Sequence, residues 1–128
     1  MIIPVKSTED NIFAQYLLIM NTFIVKSKKL TEQEAEVLGK LMQINNMYLH
    51  LPKEQRDMII FNKLTREKIR ISIGEGLKIN QLENILCKIR AKNYISGKEL
   101  KLHCPKIING KIEINIKLEI KSDEVQPE

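Results

Sequence analysis

The sequence predicts an α+β fold in which a helical N-terminal part is followed by a C-terminal β-hairpin. Over most of residues 12–92, apolar residues recur at spacings of three and four, which is typical of buried helix faces. Over residues 112–120 they alternate with polar residues, and the Asn109-Gly110 pair before that stretch favours a tight hairpin turn. Of the 128 residues, 43% are hydrophobic and 29% are charged, so the chain can bury one core and is not of the disordered class.

The first predicted helix begins near residue 9 or 11 and uses a strongly apolar stretch. Its apolar residues are three and four positions apart: Ile12, Phe13, Tyr16, Leu17, Ile19, Met20, Phe23 and Ile24. The stretch is apolar enough that a strand remains an alternative. Two interpretations of its hydrophobicity stay open, namely packing into the core of one chain and an interface between two copies of the chain.

Two more helices are predicted before residue 62. Thr31 is a good N-cap, and Glu34 three residues later completes a capping box for the second helix. The inward face of that helix is Val37, Leu38, Leu41, Met42 and Ile44, and Asn45-Asn46 interrupts it. Pro52 suits the first turn of a short helix over residues 53–61. Its predicted inward residues are Met58, Ile59 and Phe61.

A fourth and a fifth helix follow, separated by a turn in which Gly74 and Gly76 permit a positive φ. Thr65 opens the fourth helix with a capping side chain, and Ile69 and Ile73 face the core, with Ile71 as a further candidate. The fifth helix spans about residues 80–92 and buries one apolar set: Leu82, Ile85, Leu86 and Ile89. Asn93 is expected to end it in the left-handed conformation.

The last third of the chain is predicted to form the hairpin. Leu100, Leu102 and Cys104 alternate with polar residues, and the longer alternation over residues 112–120 follows the Asn109-Gly110 turn. Residues 100–104 and 112–120 are therefore the predicted strands. Residues 122–128 are polar and acidic, and we expect them to be disordered.

The positive charge is concentrated in the second half of the chain. Residues 1–60 have seven basic and seven acidic side chains. Residues 61–121 have fourteen basic and six acidic ones, a net charge of +8, and residues 122–128 have three acids. This distribution favours a polyanionic partner for the region of the last two helices and the hairpin.

A helix, a glycine-containing turn, an amphipathic helix and a hairpin follow one another in the order of a winged helix-turn-helix. In such a fold the helix over residues 80–92 enters the major groove of DNA. Asn80, Gln81 and Asn84 have amide groups that can pair with adenine, whereas Lys88 near the helix end would meet phosphate. The alternative is that these polar residues are the solvated face of a core helix.

The other candidates are placed to follow the DNA backbone. Thr65 and Arg66 open the preceding helix, where free N–H groups and a cation favour phosphate, although a plain N-cap beside an exposed arginine is an equal alternative. The hairpin lysines would lie along the backbone or minor groove, unless the hairpin is only a structural sheet edge. The predicted DNA-binding residues are Thr65, Arg66, Lys78, Asn80, Gln81, Asn84, Lys88, Lys98, Lys101 and Lys111.

Two segments resemble small winged helix-turn-helix DNA-binding proteins. Residues 31–38, TEQEAEVL, look like the first helix of many such regulators. Residues 84–95, NILCKIRAKNYI, look like their recognition helix and its exit, with Asn93 at the usual glycine position. The resemblance covers about residues 30–120 and implies DNA binding and transcription regulation. More loosely, the chain is similar to winged-helix-like proteins of tailed bacteriophages with AT-rich genomes, which implies no defined activity.

No catalytic or cofactor-binding motif occurs in the sequence. Cys87 and Cys104 are too few for a disulfide framework or a four-cysteine zinc site, and we expect free, buried thiols of a reducing compartment. His103 adjoins Cys104, but no third ligand has a suitable spacing. The sequence therefore predicts no enzyme, no metal site and no other cofactor.

The N-terminus does not have the pattern of a secretory signal, since residues 1–4 are uncharged and two acids precede the apolar stretch. That stretch is about 14 residues long, short of the ~20 that a membrane span needs. The sequence therefore predicts no membrane association and a cytoplasmic protein, in a bacterium or in the host cell if a phage encodes it.

The predicted organisation has three parts: an arm and helix at residues 1–29 that could dimerise, a winged-helix domain at residues 30–121, and the acidic tail at residues 122–128. The predicted function is double-stranded DNA binding, sequence-specific or architectural, with a regulatory role. The alternative is a phage structural, assembly or packaging protein that uses the same fold for protein contacts, because fold does not fix function. An N-terminal apolar interface would make either protein a homo-oligomer.

Overall fold

The computed structural model describes residues 11–74, 76–102, 104–105, 107 and 110–112. Within these residues the fold is α+β, as predicted: five α-helices precede a two-stranded antiparallel hairpin. The helices are α1 (Ile12–Met20), α2 (Glu32–Met47), α3 (Lys53–Ile60), α4 (Lys63–Ile73) and α5 (Ile79–Ala91), and the strands are β1 (Ile95–Ser96) and β2 (Glu99–Leu100). Short 3-10 turns at Asn21–Phe23 and Lys26–Lys28 connect α1 to α2.

Helix α2 lies at the centre of the fold and contacts each of the other four helices. The predicted capping box is confirmed: the Glu34 N–H donates to the Thr31 hydroxyl over 3.1 Å, and the Thr31 N–H donates to the Glu34 carboxylate over 3.0 Å. The core residues of α2 are completely or almost completely buried: Ala35, Val37, Leu38, Leu41 and Met42. Burial on several sides explains why this helix organises the packing of the others.

Helix α1 packs along α2, so the core interpretation of its apolar stretch is confirmed for one face. Phe13 and Leu17 belong to the same buried cluster as the residues of α2. The close approach depends on Gly39, because a Cβ atom built there would lie 2.8 Å from the backbone N of Ala14 and 3.1 Å from its Cα. Gly39 therefore provides the space in which the backbone of α1 rests on α2.

We expect Gly39→Ala to lower the free energy of unfolding by about 1–3 kcal/mol, because the added methyl group overpacks a contact with backbone atoms. Urea denaturation measures this loss. Gly74→Ala is the matched control, since a Cβ at Gly74 has no atom within 4 Å and its φ of 174° is extended. Equal stability of the two variants would show that α1 is not held against α2 in this way.

The start of α4 and the inward face of α3 differ from the prediction. Helix α4 begins at Lys63, and its N-cap is Asn62, whose side chain accepts the Leu64 N–H over 2.8 Å. Thr65 is therefore in the first turn, and its hydroxyl donates to the Ile59 carbonyl over 2.7 Å.

Met58 was predicted to face inward but is 69% exposed. The inward face of α3 and its C-cap consists of Asp57, Ile60 and Phe61. Because Asp57 is charged, the spacing of apolar residues alone does not identify this face.

Helix α5 matches its prediction closely. All four residues of the predicted apolar set are buried, at 6% exposure or less. Asn93 has a φ of 69°, which is the predicted left-handed conformation that ends the helix. The expected positive φ is not seen at Gly74, which is extended, and Glu75 lies outside the described residues.

The hairpin forms earlier in the chain than predicted. Ile95 pairs with Leu100 around a two-residue turn, and both side chains are buried. Gly97 begins that turn with a φ of 61°. The prediction of a strand over residues 100–104 is wrong for its described part beyond Leu100, since Lys101, Leu102 and Cys104 are not in a strand.

The later part of the predicted hairpin lies mainly outside the described residues, as do Asn109, residues 113–120 and the acidic tail at 122–128. Of the turn and the following stretch, Gly110, Lys111 and Ile112 are described. Gly110 has a φ of 74°, which is compatible with the predicted turn. Ile112 is half-buried and packs against the core.

Candidate nucleic-acid interface

Four exposed side chains form what we call the outward face of α5: Asn80, Asn84, Cys87 and Lys88. They lie opposite the buried apolar set, because residues three, four, seven and eight positions apart share one side of a helix. Two of the predicted base-reading amides, Asn80 and Asn84, are therefore accessible and adjacent.

Lys78 and Gln81 lie at the N-terminal end of α5 and are also exposed. The Gln81 side-chain oxygen accepts the Lys78 backbone N–H over 2.8 Å, which caps the helix. The amide NH2 group of Gln81 is then the part of the side chain that could donate to a base. The Lys78 ammonium group extends the positive charge to the start of the helix.

One flank of α5 is held by α4 and the hairpin. Arg66 forms an ion pair with Glu83 over 2.9 Å, and the Arg90 Nε donates to the Gly97 carbonyl over 3.3 Å. Arg66, which was predicted to contact phosphate, is thus paired with a carboxylate within the chain. The same ion pair offsets the negative charge of Glu83, which would otherwise repel DNA beside the outward face.

The connection between α4 and α5 consists of residues 74–78, so it is longer than the three or four residues of a compact helix-turn-helix. Arg70 stabilises it by donating from its guanidinium to the Leu77 carbonyl over 2.8 Å. Leu77 itself is buried. The longer turn is therefore anchored at a defined point in the core.

The other flank of α5 rests against the start of α2. Lys92, just after the helix, forms an ion pair with the buried carboxylate of Glu34 and donates to the Lys29 carbonyl over 2.8 Å. Burial disfavours ionisation of Glu34, but hydrogen bonds from Lys92 and Thr31 and the charges of Lys92 and Lys88 outweigh it, so the pKa of Glu34 is lowered. The carboxylate is thus ionised and fixes the C-terminal end of α5 on α2.

Three lysines that the prediction did not include lie beside this end of α5. We call residues 26–29 the lysine turn; Lys26, Lys28 and Lys29 are all exposed there. The Tyr94 hydroxyl donates to the Lys28 carbonyl over 2.8 Å, which brings the turn next to the exit of α5. The net charge of the first half of the chain is zero, so only the local run KSKK indicated a cluster of lysines there. The contact of this run with the exit of α5 could not be predicted from the sequence.

The hairpin side contains an open cleft of about 730 Å³ between α3, α4 and the hairpin turn. Four cations line it, Lys53, Lys63, Arg66 and Lys98, together with acidic side chains of α3 and β2. The Arg66 Nε atom is buried and has no hydrogen-bond partner among the described residues. Lys98 is exposed at the tip of the hairpin, so this part of the predicted set is accessible.

The remaining predicted residues are more scattered. Lys101 is exposed and pairs with Glu99 over 3.4 Å, and Lys111 is exposed beyond the hairpin. The structure therefore brings the predicted residues into two groups. One is the outward face of α5 with Lys78 and Gln81, and the other surrounds Arg66 and Lys98.

The two cysteines have different environments. Cys87 is exposed on α5, so the prediction that it is buried is wrong, whereas Cys104 is half-buried. Burial raises the pKa of the Cys104 thiol to about 11. Within the described part of the chain, no three His, Cys, Asp or Glu side chains are grouped to hold a metal, although His103 lies outside it.

Comparison of the chain with protein-family models, curated proteins and solved structures found no match. None of the helices among the described residues combines the length and apolar character that crossing a membrane requires. The class that the fold defines is an α+β domain in which the polar face of α5 is exposed, with a cleft of mixed charge on one flank and the lysine turn beside its C-terminal end.

Proposed function

We propose that the chain binds double-stranded DNA as a regulatory winged helix-turn-helix protein, with α4 and α5 as the helix pair and β1–β2 as the start of the wing. The main support is the outward face of α5, where Asn80 and Asn84 are exposed side by side and Lys88 follows them. Amides at this spacing can pair with adenine edges, and a lysine one turn further can meet phosphate.

The charged side chains on the two flanks of α5 add to this support. The cleft on one flank of α5 is lined by four cations, among them Lys98, and by three acids, and the lysine turn lies on the other flank. Duplex DNA has backbone phosphates on both sides of the major groove, so cations on both flanks of a groove-binding helix suit it. Glu83, on α5 beside the outward face, is paired with Arg66 over 2.9 Å.

Duplex binding is expected to weaken steeply as salt rises, because bound lysines displace counterions from the DNA. Fluorescence anisotropy with a mixed-sequence duplex at several salt concentrations measures the slope of log K against log salt. A protein with no duplex affinity at low salt would refute the proposal.

Two single substitutions separate base reading from phosphate binding. Asn84→Ala should change the sequence preference, with a loss of about 1–3 kcal/mol on the preferred site. Lys88→Ala should weaken binding to all sequences alike and lower the salt slope by about 1. Lys68→Ala on α4 is the control, because it also removes an exposed lysine but lies outside both groups of predicted DNA-binding residues. If all three variants behave alike, α5 is not the recognition helix.

A second candidate is a phage assembly or packaging protein that uses this fold for protein contacts. Leu64 and Ile71 favour it, since they are 64% and 65% exposed and lie two turns apart on one face of α4. Phe23 and Val25, after α1, are also exposed. Sedimentation velocity distinguishes the candidates: a large assembly without DNA affinity, dispersed by Leu64→Glu, supports this one, and a monomer that binds DNA supports the first.

A further inference from the structure

We propose that the lysine turn binds the phosphate backbone of the same DNA duplex, beyond the C-terminal end of α5. This inference rests on the proposed function and adds Lys26, Lys28 and Lys29 to the interface. It would add a second group of cations to the DNA-binding surface, next to the C-terminal end of α5.

The position of the turn is fixed by residues that directly follow α5. The Lys92 ammonium donates to the Lys29 carbonyl and the Tyr94 hydroxyl donates to the Lys28 carbonyl, each over 2.8 Å. Both bonds use backbone oxygens of the turn. The three lysine side chains are therefore exposed while the backbone that bears them is held at the exit of α5.

The electrostatic surroundings of the turn favour an anion. Residues 11–31 contain no acidic side chain. Of the first acids of α2, Glu34 points to α5 and is paired with Lys92. Each residue of a helix is rotated by about 100° from the one before it, so Glu32 and Glu36, both exposed, point away from Glu34 and from the end of α5.

The geometry also joins the turn to the outward face of α5. Asn84, Lys88 and Lys92 are spaced by four residues and follow one side of the helix to the turn. The 13 residues of α5 rise about 1.5 Å each, so the helix spans about 20 Å. A cation cluster at its end would reach phosphates next to those that Lys88 meets.

The test replaces the three lysines together by glutamine, Lys26→Gln, Lys28→Gln and Lys29→Gln, in the full chain. Salt titrations with a 30-base-pair duplex compare the variant with the wild type. We expect the slope of log K against log salt to become shallower by roughly 2–3, at about 0.9 per lost phosphate contact. The arginine triple variant should restore the slope, and Lys68→Gln is the matched control for one lost surface charge.

The outcomes separate this inference from the proposed function. A wild type without duplex affinity overturns both. A wild type that binds while the glutamine variant keeps its salt slope overturns only the role of the lysine turn. Phe23 and Val25, just before the turn, have exposed apolar side chains, so phosphatidylserine vesicles are the second probe. Vesicle binding that depends on the three lysines, with an unchanged DNA slope, overturns the inference in favour of a membrane surface.

Discussion

Attaching a bulky maleimide to Cys87 should lower duplex affinity at least about 100-fold, a loss of about 3 kcal/mol. Cys87 lies exposed on the outward face of α5, between Asn84 and Lys88. An α-helix with its side chains is about 10–12 Å wide and the major groove is about 12 Å wide, so no room is left for a dye on that face. Anisotropy with labelled and unlabelled protein measures the loss.

The reagent can be directed to Cys87 at pH 7. Cys104 is half-buried and its pKa of about 11 leaves about one thiol in ten thousand ionised at that pH, whereas thiolate is the reacting species. Cys87→Ala keeps a helix-compatible residue at the position and should bind DNA whether or not the reagent is present. Bound duplex should in turn slow the labelling of Cys87 in the wild type.

Labelled protein that binds as well as the unlabelled protein would place the DNA contact away from the outward face of α5. If bound duplex does not slow the labelling of Cys87, that result independently leads to the same conclusion. Mass spectrometry of the labelled chain shows that Cys87 has reacted, so a negative result cannot arise from an unmodified sample.

The sequence predicted α5 and the start of α2 well because local interactions define both. The prediction that Asn45-Asn46 interrupts α2 is wrong, because the helix continues through both residues to Met47. The capping box of α2 joins Thr31 and Glu34, only three residues apart. The buried set of α5 follows from spacing alone, and Asn93 adopts the left-handed conformation expected of a helix terminator. The outward face of α5 could therefore be inferred as the complement of its buried residues.

The hairpin and the inward face of α3 could not be predicted in the same way. The strongest local turn signal is Asn109-Gly110, yet the described hairpin closes at Gly97, where Ile95 and Leu100 are both buried in the core. In α3, Asp57 is buried because it accepts bonds from the Lys53 ammonium and the Leu100 N–H. Lys53 is only four positions away, but Leu100 is 43 positions away, and a partner at that distance leaves no periodic signal.

The candidate interface shows the same division between local and long-range information. Exposure of Asn80 and Asn84 follows from the helix period, whereas the ion pair of Arg66 with Glu83 joins residues 17 positions apart. The lysine turn meets α5 through bonds that span more than 60 positions. Summing charge along the chain therefore singles out residues 61–121 but not the lysine turn, which only folding brings beside the end of α5.

Glu34→Ala should lower the free energy of unfolding by about 3 kcal/mol, the second large effect we expect. The side chain of Glu34 is 4% exposed and its partner Lys92 is 20% exposed, so the substitution leaves a largely buried ammonium group without its carboxylate. It also removes half of the capping box with Thr31. Because Lys92 fixes the end of α5, the loss of duplex affinity should exceed that of Glu36→Ala.

Urea denaturation at neutral pH measures the effect on stability. Glu34→Gln keeps a side-chain oxygen for the Thr31 N–H and should lose less than Glu34→Ala. Glu36→Ala, at an exposed position of the same helix, should change stability by less than about 0.5 kcal/mol. A Glu34→Ala variant as stable as Glu36→Ala would mean that the contact between Glu34 and Lys92 does not hold α5.

The pH dependence gives an independent check. The pKa of Glu34 is lowered from 4.5 in the folded chain, so its charge stabilises the fold fully above that value, and this contribution is lost as the pH falls through the lowered pKa. The stability difference between the wild type and Glu34→Gln should thus be constant near neutral pH and shrink below pH 4.5. A difference that does not shrink in acid would show that the charge of Glu34 contributes nothing, and that only its hydrogen bonds position α5.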